Sequence, residues 1–209
     1  MINQYLVEIS LLIIPVLVAV TFHEVAHGYV AYLCGDMTAK MEGRLTLNPL
    51  KHLDLVGSIV FLLTRMIGWA KPVPINPANF RNPLKDTMLV SIAGPATNFA
   101  IAIISALILK GLGYIPVSSS FVFYKILMPF ALIVKLSVQI NVAFGFFNLI
   151  PIPPLDGSKI LMGILPANLR YRYLQLEPFG FIIILILVFT NALQYTLWPM
   201  VNFVLKILL

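Results

Sequence analysis

The sequence predicts an all-α polytopic membrane protein with about 4–6 transmembrane helices. Two observations carry this prediction. First, hydrophobic residues make up 60% of the 209 residues and charged residues only 11%, and the mean hydropathy is +0.96. A soluble domain of this size does not need so much apolar surface. Second, the apolar residues form several stretches long enough to cross a bilayer.

The stretches long enough to span the hydrocarbon core are 6–33, 88–109, 122–150 and 179–197. The first is too long for the core of a signal peptide and has no basic start, so we expect it to be retained as a helix. A fifth stretch, 53–69, has only 17 residues and contains Arg65. The tail, 198–209, is expected to be an interfacial helix or an extension of the last span.

The distribution of basic residues predicts the topology. None of the 14 Lys and Arg residues precedes Lys40, and seven of them lie between Cys34 and Asp86. The positive-inside rule therefore places the N-terminus outside the cell membrane and the segment 34–86 on the cytoplasmic side. This topology requires 53–69 to re-enter or to lie at the interface rather than cross. It also explains the net charge of +6 without nucleic-acid binding, because no Lys/Arg cluster is interleaved with aromatic residues.

The segment 38–48, TAKMEGRLTLN, alternates between polar and small or apolar residues. A period of two predicts a short, half-buried β element, here on the cytoplasmic side. Two interpretations remain open: a strand that covers this face, or an exposed edge that pairs with an extended substrate segment. The later stretch AKPVPINPANFRNP is rich in proline and is expected to be an extended surface loop.

Ionisable residues lie together in the first apolar stretch, where they are costly and usually mark a functional site. His23 and His27 are four residues apart, so on a helix they share one face and suit two bonds to zinc. Glu24 lies next to the first histidine and can reach water at the metal without being a ligand. This pattern is H-E-x-x-H, the zinc metalloprotease signature. The alternative is accidental spacing of two packed histidines, although the chain has only three histidines.

A catalytic zinc site needs a third protein ligand and one open position. Asp156 is the acid that elimination leaves, because it follows a proline-broken helix in NLIPIPPLDGSKIL, and such a break is tolerated where it lines a cavity. The other acids are too distant, too near His27, placed among cations or at a helix start: Glu8, Asp36, Glu42, Asp54, Asp86 and Glu177. His52 is possible but lies in a polar loop, and the only cysteine, Cys34, follows the histidines too closely. Asp156 can also be a simple N-cap of a helix at 158–165.

Topology gives an independent check on this ligand set. If 53–69 crossed the membrane, Asp156 would emerge on the face opposite to His23 and His27 and could not meet them. If 53–69 returns, all three residues converge near the cytoplasmic leaflet, in agreement with the charge distribution.

Three motifs, in the same order, make the chain similar to the site-2 protease family of intramembrane zinc metalloproteases. They are HEVAH at 23–27, AGPATN at 93–98 and NLIPIPPLDG at 148–157. The stretches GRLTLNPLKHLDLVGS and WAKPVPINP also resemble the compact bacterial and archaeal members, which lack added regulatory domains. The resemblance extends over nearly the whole chain, so we expect a single transmembrane metalloprotease domain at 1–209.

The resemblance implies a zinc metalloendopeptidase that hydrolyses peptide bonds of membrane-spanning proteins. It implies His23, His27 and Asp156 as the ligands of one zinc ion per chain, and Glu24 as the general base. Asn148 matches the family asparagine that stabilises the reacting carbonyl. The implied partners are membrane proteins with a transmembrane segment and the lipid bilayer, whereas no nucleic-acid partner is expected.

Some positions carry less information. Asn98, in AGPATN, matches a recurrent family position and can equally tie helices together. The family usually has Gly-Arg after the aspartate-glycine pair, whereas this chain has Ser158 and Lys159. A zinc transporter is an alternative function, but it would need further ligands across the bilayer, which the other spans do not offer. A pseudoenzyme is another, although every site residue is present. The oligomeric state is not predicted.

Overall fold

The computed structural model describes residues 2–64, 68–116 and 119–209, and these residues form helices and connecting turns without a β-strand. The helices are α1 (Ile2–Leu33), α2 (Thr38–Met41), α3 (Leu55–Thr64), α4 (Pro83–Leu112), α5 (Ser120–Val122), α6 (Met128–Asn148), α7 (Asp156–Ile164), α8 (Ala167–Leu174), α9 (Gly180–Phe189) and α10 (Ala192–Leu208). Within the described residues, four helical stretches are long and apolar enough to cross a membrane: Ile9–Leu33, Pro83–Leu112, Ser120–Asn148 and Ala167–Phe189. The all-α polytopic membrane fold is confirmed.

The helices α1, α4 and α6 pack against one another and form the centre of the molecule. Small and β-branched residues line their contacts, namely Ala102 and Ala106 of α4 and Val138 and Val142 of α6. In hydrocarbon, helices associate through close van der Waals packing and polar contacts, and small side chains permit this close approach. The packing brings the HEVAH segment of α1 next to the AGPATN segment of α4.

The fourth membrane-spanning stretch has other bounds than the predicted 179–197. The fourth apolar stretch begins earlier and ends at Phe189, because Asn191 adopts a left-handed conformation with φ of 56°. Asparagine tolerates this conformation, which terminates a helix. The following helix, α10, packs against α6 and buries Val201 in the contact. The tail is therefore a separate helix of the bundle and not an extension of the last span.

The segment 53–69 does not cross the membrane. Leu53 and Ala70 form an antiparallel bridge, and the backbone N–H of Lys71 donates to the carbonyl of His52 at 2.9 Å. Both ends of the segment therefore lie side by side. Helix α3 between them has 10 residues, a length of about 15 Å, which is half of a bilayer core. This geometry agrees with the predicted re-entrant or interfacial segment, of which residues 65–67, including Arg65, lie outside the described residues.

The predicted β element at 38–48 is wrong. The segment begins with helix α2, because the Asp36 carboxylate accepts a hydrogen bond from the first N–H of this helix at 3.1 Å. Gly43 then adopts φ of 64°, a left-handed conformation that glycine reaches at little cost and that ends the turn. The alternating pattern also does not match burial, since the apolar Met41 is 78% exposed and the charged Arg44 only 6%. The segment offers no strand edge to a substrate.

The proline-rich stretch is extended, but it is not simply a surface loop. Val73 and Phe80 are buried. The fully buried Asp36 anchors the loop, because its carboxylate accepts hydrogen bonds from the Asn76 backbone N–H at 2.7 Å and from the Asn79 side chain at 2.8 Å. The loop thus lies against the C-terminal end of α1, close to the histidines.

Candidate metal centre

The H-E-x-x-H residues lie on α1, within the apolar stretch Ile9–Leu33. His23 and His27 are only 3% and 7% exposed. Their Nε2 atoms lie 2.9 Å apart, and their ring planes are nearly perpendicular, at 87°. The four-residue spacing thus brings both rings to one face of the helix, as predicted.

Asp156 reaches the histidines from the break between α6 and α7. Its Oδ2 atom lies 3.2 Å from His23 Nε2 and 3.1 Å from His27 Nε2. Gly157 permits the chain to fold back at this point, because a Cβ there would lie 2.1 Å from the Leu149 carbonyl oxygen. The N-cap position of α7 is occupied by Leu155, and Asp156 is the first residue within the helix. The alternative in which Asp156 is only an N-cap therefore does not describe this structure.

The other residues considered as the third ligand have different contacts. His52 is fully buried and its Nε2 donates to the Thr46 carbonyl at 2.8 Å. Asp54 accepts from the backbone N–H of Gly57 at 2.8 Å, within the turn before α3. Asp86 accepts from the backbone N–H of Asn82 at 2.8 Å and thereby caps α4. These contacts hold the loops and helix starts, as is common for such side chains.

The outer nitrogen of each histidine ring is engaged in a hydrogen bond. His27 Nδ1 lies 2.7 Å from the carbonyl oxygen of Val90, and His23 Nδ1 lies 2.7 Å from Oδ1 of Asn98. Both partners are acceptors, so each Nδ1 carries the proton and donates it. In the neutral form of each ring, Nε2 therefore presents its lone pair to the centre of the cluster, and this is the tautomer that metal-binding histidines need.

The donor atoms of the cluster fit a zinc ion. The ligand atoms of His23, His27 and Asp156 lie within 4.8 Å of one another, and Asp156 Oδ2 is buried without a hydrogen-bond partner. Two lone pairs and a carboxylate oxygen directed at one point are unfavourable unless a cation lies between them. Two imidazoles and one carboxylate form a known ligand set of catalytic zinc, which leaves a fourth position open. The structure thus brings together all three residues that the sequence suggested.

Gly94 of α4 provides the space that the two rings occupy. A Cβ at this position would lie 2.5 Å from His27 Nε2 and 2.6 Å from His23 Cε1. Such distances are too short for any real contact, so only glycine permits α4 to pack this closely on the histidines.

A cavity of about 150 Å³ borders the cluster and is also lined by Glu24, Asn148 and Lys159. Oε2 of Glu24 accepts a hydrogen bond from the backbone N–H of Val73 at 2.8 Å, which fixes the carboxylate and leaves Oε1 for other partners. Asn148 Nδ2 donates to the carbonyl of Phe144 at 3.0 Å and retains a second N–H. Both residues that the resemblance implies as catalytic therefore line the cavity that borders the cluster.

Several residues of the site were not identified from the sequence. Val90 and Val73 contribute through backbone atoms, so no side-chain pattern indicates them. Gly94 lies within AGPATN, and this motif did contain a signal. Asn141 contacts Asn98 and is fully buried. An amide in a membrane helix usually marks a polar contact, and this signal was available in the third span.

The helices and the cluster define a polytopic membrane protein with an H-E-x-x-H and aspartate metal centre. Residues 127–190 match the family described as peptidase family M50. YwhC from Bacillus subtilis (strain 168), which is named as a zinc metalloprotease, is 42% identical over 91% of this chain and 85% of its own length. The chain belongs to peptidase family M50, the site-2 protease family, and is a zinc metallopeptidase.

More distant relatives carry similar names. Zinc metalloprotease MJ0392 from Methanocaldococcus jannaschii is 28% identical over 79% of this chain, which covers 37% of that protein. Rip2 from Mycolicibacterium smegmatis, also named as a zinc metalloprotease, is 26% identical over 85% of this chain and 66% of its own length. No solved structure matches the chain significantly.

Proposed function

We propose that the chain is an intramembrane zinc metalloendopeptidase that hydrolyses peptide bonds of membrane-spanning proteins. The position of the metal cluster carries this proposal. The histidines and Glu24 lie inside an apolar helix that is long enough to cross the membrane. A peptide bond that reaches the adjacent cavity must therefore lie within the membrane or close to its surface.

Each residue of the cluster has a role in the proposed reaction. His23, His27 and Asp156 would hold one zinc ion, which supplies the Lewis acidity that activates water and polarises the scissile carbonyl. Glu24 takes a proton from the attacking water through Oε1, because Oε2 is engaged by the Val73 N–H. As the water oxygen bonds to the carbonyl carbon, the free N–H of Asn148 donates to the developing oxyanion. The C–N bond then breaks, and Glu24 passes its proton to the leaving nitrogen.

A helical substrate must unwind before it is cleaved. Its carbonyl oxygens accept the i→i−4 hydrogen bonds of the helix and are not accessible to a nucleophile. The cavity beside the cluster measures about 150 Å³, which admits a short extended segment and not a helix. We therefore expect cleavage near the end of a transmembrane segment or at a residue that weakens the helix there.

We further propose that the protein lies in the cell membrane with its N-terminus outside and the metal centre toward the cytoplasmic leaflet. His23 lies 10 residues before the end of α1 at Leu33, or about 15 Å. The seven Lys and Arg residues between Cys34 and Asp86 support a cytoplasmic location for the segment that follows α1.

The substitution Glu24→Gln tests the proposed reaction. We expect the variant to keep one zinc ion per chain, because Glu24 is not a ligand, and to leave uncut the membrane proteins that the wild type cleaves, because an amide cannot accept the proton. Mass spectrometry of membrane fractions from cells that express either chain measures intact proteins and fragments, and elemental analysis of the purified chain measures zinc.

A matched control is Glu42→Gln, an exposed acid in the loop after α2, which should cleave as the wild type does. If Glu24→Gln produces the same fragments as the wild type, Glu24 is not the general base. If wild type and Glu24→Gln both produce no fragments that cells without the chain lack, the proposed protease activity is wrong.

A further inference from the structure

A chain of hydrogen bonds runs from the metal centre through three helices. It connects His23 of α1 to Asn98 of α4 at 2.7 Å, and Asn98 to Asn141 of α6 at 2.9 Å. Asn141 continues it to Ser137, whose hydroxyl lies 3.0 Å from that of Ser105. Both asparagines are fully buried.

Only one orientation of each amide is compatible with these contacts. Asn141 Nδ2 donates to the carbonyl oxygen of Ser137 at 2.9 Å, and a carbonyl oxygen can only accept. Oδ1 of Asn141 must therefore face Asn98 and accept from its Nδ2. This contact and a longer one, 3.1 Å, from Nδ2 to the carbonyl of Ala19 direct Oδ1 of Asn98 toward His23.

The orientation of Asn98 determines which nitrogen of His23 can bind a metal. With Oδ1 toward the ring, Nδ1 carries the proton and Nε2 keeps its lone pair. If the amide turned its NH₂ group toward the ring, Nδ1 would have to accept and the proton would move to Nε2. A protonated Nε2 is not a ligand, so a reversed Asn98 would remove one of the three donors from the centre.

We propose that Asn141 is a positioning residue of the metal centre, which acts through Asn98 to keep Nε2 of His23 free for zinc. The proposal rests on the proposed ligand role of His23. Ala19 is the weaker anchor of Asn98, because its carbonyl lies four residues before His23 and already accepts the helical hydrogen bond of that residue. The stronger anchor is Oδ1 of Asn141, because this side-chain oxygen accepts from Asn98 and takes no part in the hydrogen bonds of a helix backbone.

The test is the zinc affinity of purified chains, measured by competition with a chromogenic chelator. Asn141→Leu keeps the branched shape of the side chain but removes the acceptor, and we expect zinc to bind about tenfold more weakly, the size of effect seen for partners behind a metal ligand. Asn141→Asp should keep the zinc affinity of the wild type, because a neutral carboxylic acid offers Asn98 a carbonyl oxygen and donates its O–H to Ser137. Asn141→Ala is the second variant if Asn141→Leu does not fold.

Two controls separate positioning from simple helix packing. Ser105→Ala breaks the last link, between α4 and α6, but leaves the contact between Asn141 and Asn98 intact, so the zinc affinity should not change even where the melting temperature falls. In the background of Asn98→Leu, the additional change Asn141→Leu should cause no further loss of affinity, since both residues act through one contact.

The proposal is overturned if Asn141→Leu or Asn141→Ala binds zinc as tightly as the wild type, or if Ser105→Ala weakens zinc binding as much as Asn141→Leu does. It is also overturned if Asn141→Asp binds zinc as weakly as Asn141→Leu, or if the losses of affinity from Asn98→Leu and Asn141→Leu add in the double variant. The ligand set itself is tested separately by His23→Ala. If this variant binds zinc as tightly as the wild type, the proposed metal centre is wrong, whatever the result for Asn141.

Discussion

The proton on Nδ1 of each histidine leaves the lone pair of Nε2 free to bind a metal ion. The proton of His27 is held by a backbone carbonyl and that of His23 by an amide. These contacts depend on how closely α4 approaches α1, and the approach depends on the missing side chain of Gly94. At this scale a single methyl group is sufficient to disturb the site.

The change Gly94→Ala is therefore expected to abolish zinc binding or to weaken it by more than tenfold, because the new Cβ would displace both rings from their hydrogen-bond partners. Zinc content after dialysis measures the effect. The matched control is Gly111→Ala on the same helix, where a Cβ has no neighbour within 4 Å. Equal zinc content in the two variants would show that the contact of Gly94 with the histidines does not matter.

The proline-rich loop forms one wall of the cavity and holds the Glu24 carboxylate through the Val73 N–H. It is attached at both ends, because Arg44 donates to the carbonyl of Lys71 at 2.8 Å and Asp36 accepts from the backbone N–H of Asn76 at 2.7 Å. An element outside the membrane-spanning helices thus completes a site within them.

The Asp36 carboxyl makes the stability of this loop depend on pH. Burial raises the pKa of the group, but the hydrogen bonds that it accepts from Thr38, Asn79 and Asn76 lower it further, so that the pKa lies below its usual value. The unfolded value is about 3.9. The carboxylate therefore stabilises the fold above that pH, and this contribution is lost as the pH falls through the lower folded pKa.

We expect Asp36→Asn to lower the free energy of unfolding by about 1–3 kcal/mol at neutral pH, because an amide cannot accept all of these hydrogen bonds. The difference from the wild type should begin to shrink as the pH falls below about 4, where the carboxyl of the unfolded chain binds a proton, and should be lost below the lower pKa of the folded state. Thermal unfolding in detergent over this pH range measures both chains. A difference that stays constant with pH would contradict the assigned role.

The parity of the membrane crossings brings the two halves of the site to one side. The stretches Pro83–Leu112 and Ser120–Asn148 lie between the end of α1 and Asp156. Two crossings return the chain to the face that it left, so the loop after α1 and the loop before α7 share a side. A third crossing at 53–69 would separate them, and the bridge between Leu53 and Ala70 shows that it does not occur.

Cysteine labelling tests this topology in intact cells, in a Cys34→Ser background. Met41→Cys, Leu63→Cys and Tyr114→Cys replace side chains that are 78%, 79% and 87% exposed. We expect an impermeant thiol reagent added outside to label only Tyr114→Cys, and to label Met41→Cys only after the cells are opened. Labelling of Leu63→Cys from outside would indicate that 53–69 crosses the membrane.

Local features of the sequence predicted much of the fold and of the site. Apolar length indicated the membrane helices, and the 3.6-residue period placed His23 and His27 on one face. The same kind of reasoning failed at 38–48, where alternation predicted a strand. A period of two is not decisive when a buried carboxylate such as Asp36 can bond to the backbone of a helical turn instead. The left-handed conformation at Asn191, which ends the fourth span, likewise had no signal in hydropathy.

The sequence by itself determined the class of the protein and the pair of histidines on one face of α1, because transfer to hydrocarbon and helical spacing involve only neighbouring residues. The tertiary structure decided the rest of the centre. The partners of His27, His23 and Glu24, namely Val90, Asn98 and Val73, lie 63, 75 and 49 positions away in the chain. Contacts over such separations depend on how the helices pack, and packing follows from shape and hydrogen bonding that no single stretch of sequence contains.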